Sequence, residues 1–151
     1  MNMQPLRMVL VRGAEARERL VGHMADGNQA KTAGAPLVAV LAADIDFHNE
    51  MHRTFPVFPG AREMFVEDEA AREETAVRNA FLQVAYFILG VRAAGLAAGP
   101  MTGMDALGIE KEFFQDGRHR VLAVVTIGHP GKNAFRDRLP RLSYEDVVTT
   151  V

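Results

Sequence analysis

Cysteine is absent from the 151-residue chain, and that absence excludes a disulfide framework, a thiolate zinc site and a cysteine nucleophile together. Any redox chemistry has to come from a bound cofactor. Serine occurs once, and Ser143-Tyr144-Glu145-Asp146 has the form of a capping box, so the hydroxyl a serine triad needs is already accounted for. Charge of one sign is lacking too. With 17 Lys and Arg against 19 Asp and Glu, a net of -2, neither nucleic acid nor an anionic membrane is an expected partner. No run approaches the roughly eighteen apolar residues of a membrane-crossing helix. Met1-Asn2-Met3-Gln4-Pro5 lacks the basic-then-apolar form of a signal peptide, so a cytoplasmic location is expected. Neither GxGxxG nor GxxxxGK[ST] occurs, and a nicotinamide cofactor, if used, binds without a Rossmann loop.

The chain does have 48% hydrophobic residues, enough for one domain with a substantial core. Residues 6–12 read as a β-rich run closed by Gly13, and 14–24 as an amphipathic helix. Turn signals at Ala25-Asp26-Gly27-Asn28 and Gly34-Ala35-Pro36 leave Gln29–Ala33 as a short helical turn. Residues 37–42 are apolar on both faces, as in a strand covered on both sides. Between Asp44 and Phe65 the pattern breaks down to a short helix at 46–53 and a segment, Phe55-Pro56-Val57-Phe58-Pro59-Gly60, that two prolines keep irregular. Residues 67–94 form the longest helix, and its second half, 81–91, is apolar nearly all round, which predicts burial as a central helix. Gly99-Pro100-Met101-Thr102-Gly103-Met104-Asp105 follows as a tight loop whose amides can face a flat ligand. A helix at 105–114, a third central strand at 120–127 and a basic tail complete the order.

Three constellations carry possible chemistry. Arg136 and Arg138 point to one side of an extended segment, where guanidinium forks suit a phosphate, or they merely solvate the tail. Arg78, Asn79 and Gln83 enter a buried helix and need partners, within the protein or on a ligand. His48 and His52 have the spacing of two metal ligands, but no third ligand completes a set, and no metal is expected.

Taken together, Asn2-x-Gln4-Pro5, Asn28-Gln29-Ala30-Lys31, Arg78-Asn79 with Gln83, Gly99-Pro-Met-Thr-Gly103-Met-Asp105 and Arg138-Leu-Pro-Arg141, in that order, resemble the FMN-dependent nitroreductases. The Gly-Pro-Met-Thr-Gly loop and the Arg-Leu-Pro-Arg-Leu-Ser tail are most similar to the malonic semialdehyde reductase (3-hydroxypropanoate dehydrogenase) branch. The resemblance implies an α+β fold: a mixed sheet flanked by helices, with a long buried central helix, in a homodimer with flavin at the subunit interface. It implies FMN as cofactor and NADH or NADPH as transient hydride donor to a small-molecule acceptor. Asn2 and Gln4 would pass beside the flavin, and Asn28 and Lys31 would meet its pyrimidine edge. Pro100, Met101, Thr102 and Gly103 would run along the ring, and Arg136 and Arg138 would hold the phosphate. No protein side chain is expected to be catalytic. For a carboxylate-bearing acceptor, Arg53, Arg62 and Arg78 are candidate cations. Members of the family begin with a further helical region, so residues 1–151 are expected to be a single nitroreductase-like domain lacking it. The alternatives are a nitro or quinone reductase of the same family, or a non-catalytic module that keeps the fold.

Overall fold

A computed structural model describes residues 1–132 and 134–151. Four strands, β1 (Leu6–Val11), β2 (Leu37–Asp44), β3 (Ala97–Met101) and β4 (His119–Gly128), form one sheet in the order β1-β2-β4-β3. Every pairing among the described residues is antiparallel, so the parallel pair of a mixed sheet is not made within them. The two interior strands are the long apolar runs the sequence marks as central. Along β2 the side chains alternate: Ala39, Leu41 and Ala43 enter the core on one face, and Val38, Val40 and Ala42 the core on the other. A register shift opposite Leu41/Ala42 inserts one extra residue in β4, so the parity of its side chains flips there. Leu122, the extra residue, and Val125 and Ile127 beyond it therefore share a face.

Helices cover both faces. On the first lies α4 (Glu69–Ala93), capped by Asp68, whose side chain accepts from the Ala71 amide at 2.9 Å. Ala76, Ala80 and Val84, four apart, are its buried stripe, and the small side chains let the helix axis approach the sheet. Burial all round is not what the structure shows: Phe81, Leu82, Tyr86 and Leu89 are 48 to 76% exposed. One sheet can cover only one stripe of a helix, so the apolar residues on the far side are left open. On the second face sit α1 (Ala14–Gly22), α2 (Asp26–Gly34) and α5 (Ala106–Phe113), around Leu20, Met24 and Ile109. The turn signal at Asp26-Gly27-Asn28 is the first turn of α2, which is a full helix. Arg17 ties this layer down by donating to the carbonyls of Val11, Thr32 and Ala35. After β2, a 3-10 turn (Phe47–Glu50) and α3 (Met51–Thr54) lead into the proline-rich segment, where Phe65 packs edge-on against buried Phe47. At the carboxyl end α6 (Tyr144–Val147) opens with the capping box read from Ser143 and Asp146.

Asp44, the last residue of β2, is fully buried. Its carboxylate pairs with Arg7 at 2.9 Å and Arg118 at 2.8 Å and accepts from the Asp46 amide at 3.0 Å. A buried carboxylate persists only with such partners, and removing it strands two guanidinium groups that remain partly in water. Asp44→Ala is expected to lower unfolding free energy by about 2 kcal/mol, read from urea denaturation, with a smaller loss for Asp44→Asn.

Candidate functional site

The Gly-Pro segment does not form the free loop its residues suggest. Ala97–Met101 is the edge strand β3, paired with β4 alone. Proline is tolerated on an edge, where its missing N–H faces away from the partner. A Cβ on Gly99 would collide with Thr126 Oγ1 across the pair, so this glycine serves close strand approach. The turn proper is confined to Thr102–Asp105, and it is held tightly. The Gly103 carbonyl accepts from the Ala25 amide and from Asn28 Nδ2, both at 3.0 Å. Asp105 donates its amide to the His23 carbonyl at 2.7 Å, caps α5 through the Gly108 amide at 3.0 Å, and faces His23 Nδ1 at 3.5 Å. A Cβ at Gly103 would stand 2.9 Å from Asn28 Nδ2, so the missing side chain is what lets α2 and the turn touch. Asn28 and Gly103, 75 residues apart, are thus brought into contact.

One turn along α2 from Asn28, Lys31 lines a groove of about 820 Å³ together with Gly99, Thr126, His129 and Arg136, a groove that Asn28, Pro100, Met101, Thr102 and Gly103 do not line. Lys31 and Arg136 make no ion pair among the described residues. Arg138 does not line this groove, although it is exposed. Phe135, under the Arg92 guanidinium at 5.9 Å, is a further wall. Thr126 and His129 were not singled out from the sequence; the one signal was a threonine interrupting the apolar run of β4.

Asn2 and Gln4 lie elsewhere. They precede β1, on the opposite edge of the sheet from β3, and at the opposite end of β2 from the groove, where the Asp44 amide donates to the Pro5 carbonyl. Eight residues of strand separate those ends, roughly 23 Å at 3.3 Å per residue. Gln4 has φ 45°, the one positive value at a non-glycine among the described residues. Its Nε2 donates to Asn2 Oδ1 at 3.0 Å, and Asn2 Nδ2 to the Thr54 carbonyl at 2.9 Å.

The polar residues of α4 have partners within the chain. Gln83 Oε1 accepts from the Leu6 amide at 2.9 Å, Asn79 donates to the Thr75 carbonyl at 2.9 Å, and exposed Arg78 pairs with Glu74. His52 Nδ1 lies 2.9 Å from the Asn49 carbonyl. Among the described residues no three His, Cys, Asp or Glu are grouped to hold a metal. Among the described residues no helix is long and apolar enough to cross a membrane.

Comparison with known proteins agrees with this architecture. Residues 1–129 match the family model described as "Nitroreductase family". A curated relative from Streptomyces griseus, called "Putative NADH dehydrogenase/NAD(P)H nitroreductase", is 61% identical over 150 residues, 99% of this chain and 76% of the relative. A "putative nitroreductase" of Bacillus subtilis superposes with a TM-score of 0.84 at 21% identity, over 99% of this chain and 79% of the other. A second, from Exiguobacterium sibiricum and in complex with FMN, superposes with a TM-score of 0.82 at 17% identity, over 99% and 78%. At such identities the solved structures speak for the fold. The chain belongs to the nitroreductase family.

His48, buried with Nδ1 unpaired and its ring edge-on to Phe47, has its pKa pulled below the ordinary 6.5 by burial and then by Arg72, with Arg62 acting the same way and Asp46 and Asp44 opposing. The unfolded chain therefore takes up this proton more readily, so the histidine favours folding above pH 6.5 and less so below it. Stability is expected to fall between about pH 7 and 5, and the fall should be shallower in His48→Gln when urea midpoints are followed against pH.

Proposed function

We propose that this chain is an FMN-dependent NAD(P)H oxidoreductase. The observation that carries the reading is the groove that joins Lys31, the β3 edge and Arg136, with the Asn28–Gly103 contact fixing its neighbouring turn. The residues suit the cofactor. The groove's volume falls in the range of about 300–1,000 Å³ usual for small-molecule sites, and both Lys31 and Arg136 line it. Asn28, beside the groove without lining it, spends its NH₂ on Gly103 and keeps Oδ1 as an acceptor for a ring N–H of the pyrimidine edge. Lys31 favours negative charge at that edge, and Arg136, with Arg138 two residues on, supplies the cations for a phosphate. Bound FMN would accept a hydride from NADH or NADPH and deliver it to a second substrate in the same cleft. The chain's own task is to bind, orient and tune; no side chain is given a covalent role. The Streptomyces relative's name and the FMN in the Exiguobacterium protein support this reading.

Asn2 and Gln4 cannot reach that groove within one chain, since they stand across and along the sheet from it. They complete a flavin site if a second copy supplies them. The open apolar stripe of α4, Phe81, Leu82, Tyr86 and Leu89, provides the surface for such a homodimer. For the acceptor we favour malonic semialdehyde or a closely related aldehyde acid, on the Gly99–Asp105 and Arg138–Ser143 motifs. The relative's name favours a nitro compound as the second reading.

Purified protein incubated with excess FMN is expected to retain flavin absorbance after desalting and to bleach with NADH or NADPH. Lys31→Ala and Arg136→Ala should each weaken FMN binding by about tenfold or more, measured by quenching of FMN fluorescence. Protein that takes up no FMN would leave the non-catalytic module. In light scattering, Leu82→Glu with Leu89→Glu is expected to halve the mass of an otherwise dimeric protein; an unchanged mass places the interface elsewhere.

A further inference from the structure

A second cavity, of about 620 Å³, lies at the Asp44 end of the sheet and is lined by Asn2, Gln4, Arg7, Glu50, Arg53, Thr54 and Arg118. Three arginines meet there, and their donors are only partly spent. Arg7 uses Nη1 on the Gln4 and Leu6 carbonyls at 2.8 and 3.0 Å, and Nη2 on Asp44. Arg118 gives Nη2 to Asp44, while its Nε is buried without a hydrogen-bond partner. Asp116 Oδ2 stands 3.7 Å from that Nε, while Asp116 Oδ1 is engaged by His119 at 2.8 Å and by the Arg118 amide at 3.2 Å. Arg53 gives Nη1 to Glu50 at 2.8 Å and is otherwise free among the described residues. Arg7 and Arg118 share the Asp44 carboxylate, Asp116 pairs with Arg118 and Glu50 with Arg53, so the three guanidinium charges are balanced and what remains for a ligand is N–H donors, beside a wall of amides that is itself closed by the Gln4–Asn2–Thr54 hydrogen bonds.

We propose that this cavity binds a small carboxylate, the anionic end of the acceptor, through Arg53 and Arg118. The inference rests on the oxidoreductase reading and deepens it. Asn2 and Gln4 belong to both, since they line this cavity and are the residues a second copy would lend to the flavin site. The carboxylate is then held by the subunit opposite the one whose Arg136 holds the cofactor phosphate. Of the three cations singled out from the sequence, Arg53 lines the cavity, whereas Arg62 is engaged by Asn49 and Arg78 by Glu74. Guanidinium forks select the planar, bidentate geometry of a carboxylate.

Malonate, an unreactive dianion of suitable size, is the probe. Calorimetric titration of the 151-residue chain should show saturable binding. Arg53→Gln should raise the dissociation constant about tenfold, as loss of a charged hydrogen bond does. Arg118→Lys should do likewise while its ammonium still neutralises Asp44, which guards against a merely unfolded variant. Arg78→Gln, on the far side of α4, serves as the reference and should bind as the unsubstituted protein does. In turnover, the ratio of kcat/KM for a carboxylate-bearing aldehyde to that for an uncharged aldehyde should drop about tenfold in Arg53→Gln. No malonate binding by the unsubstituted protein, or equal binding by Arg53→Gln, overturns the proposal. If FMN is taken up and bleached in that case, the oxidoreductase reading survives alone. Malonate binding that follows Arg53 and Arg118 in a protein taking up no FMN supports the anion site and removes that reading.

Discussion

The pairing of β2 with β4 is the constraint on which the rest of the molecule depends. Both strands are apolar on both faces, so neither is stable in water until it has a partner along each edge and a layer over each side. That requirement calls α4 to one face and α1, α2 and α5 to the other, and it leaves β1 and β3 as the edges. The bulge in β4 is part of the same arrangement. The extra residue is Leu122 itself, and without it the core beneath α4 would lose that large side chain.

From that pair the positions of both candidate sites follow. Because β3 is an edge, its outer side is open, and α2, entering β2 through Gly34-Ala35-Pro36, must pass beside it. The groove with Lys31 and Arg136 is the space between them. Asn2 and Gln4 arrive on the other edge because β1 pairs with the far side of β2. A flavin site needing both groups therefore needs two chains, and the same sheet that separates them also exposes the stripe of α4 on which two chains can meet.

How much of this could be read from the residues depends on the range of the interaction. β2, β4, α4 and the Ser143 cap were legible because hydrophobic runs, helical spacing and cap chemistry are local. β3 was hidden because Gly99 and Pro100 signal a turn, and only the presence of an open edge and of Thr126 across the ladder reveals that both suit a strand. α2 was shortened because Asp26, Gly27 and Asn28 favour turns and helix starts equally. The expected burial of residues 81–91 failed for a different reason: hydrophobicity reports what wants to be covered, not which chain covers it. The contact of Asn28 with Gly103 was not legible, since no local pattern encodes a contact across 75 residues.

The arginines show how structural and ligand-facing cations can be separated by accounting for donors rather than by exposure. Arg17 directs its Nη atoms at three carbonyls, and Arg72 directs its guanidinium at the carbonyls of Ile45, Phe65 and Val66 with Asp46 nearby at 3.6 Å. These groups replace missing backbone bonds and have little left to offer. Arg53, Arg118 and Arg136 are different, since each lines one of the two candidate cavities and gives no side-chain donor to a backbone carbonyl among the described residues. A partly satisfied guanidinium at a cavity wall retains much of its charge while its geometry is fixed by the contacts it does make, as Asp44 fixes Arg118. Such a group loses less entropy on binding an anion than a free surface arginine does. The buried carboxylate of Asp44 thus holds the sheet end together and at the same time aims the side chain that a ligand can use.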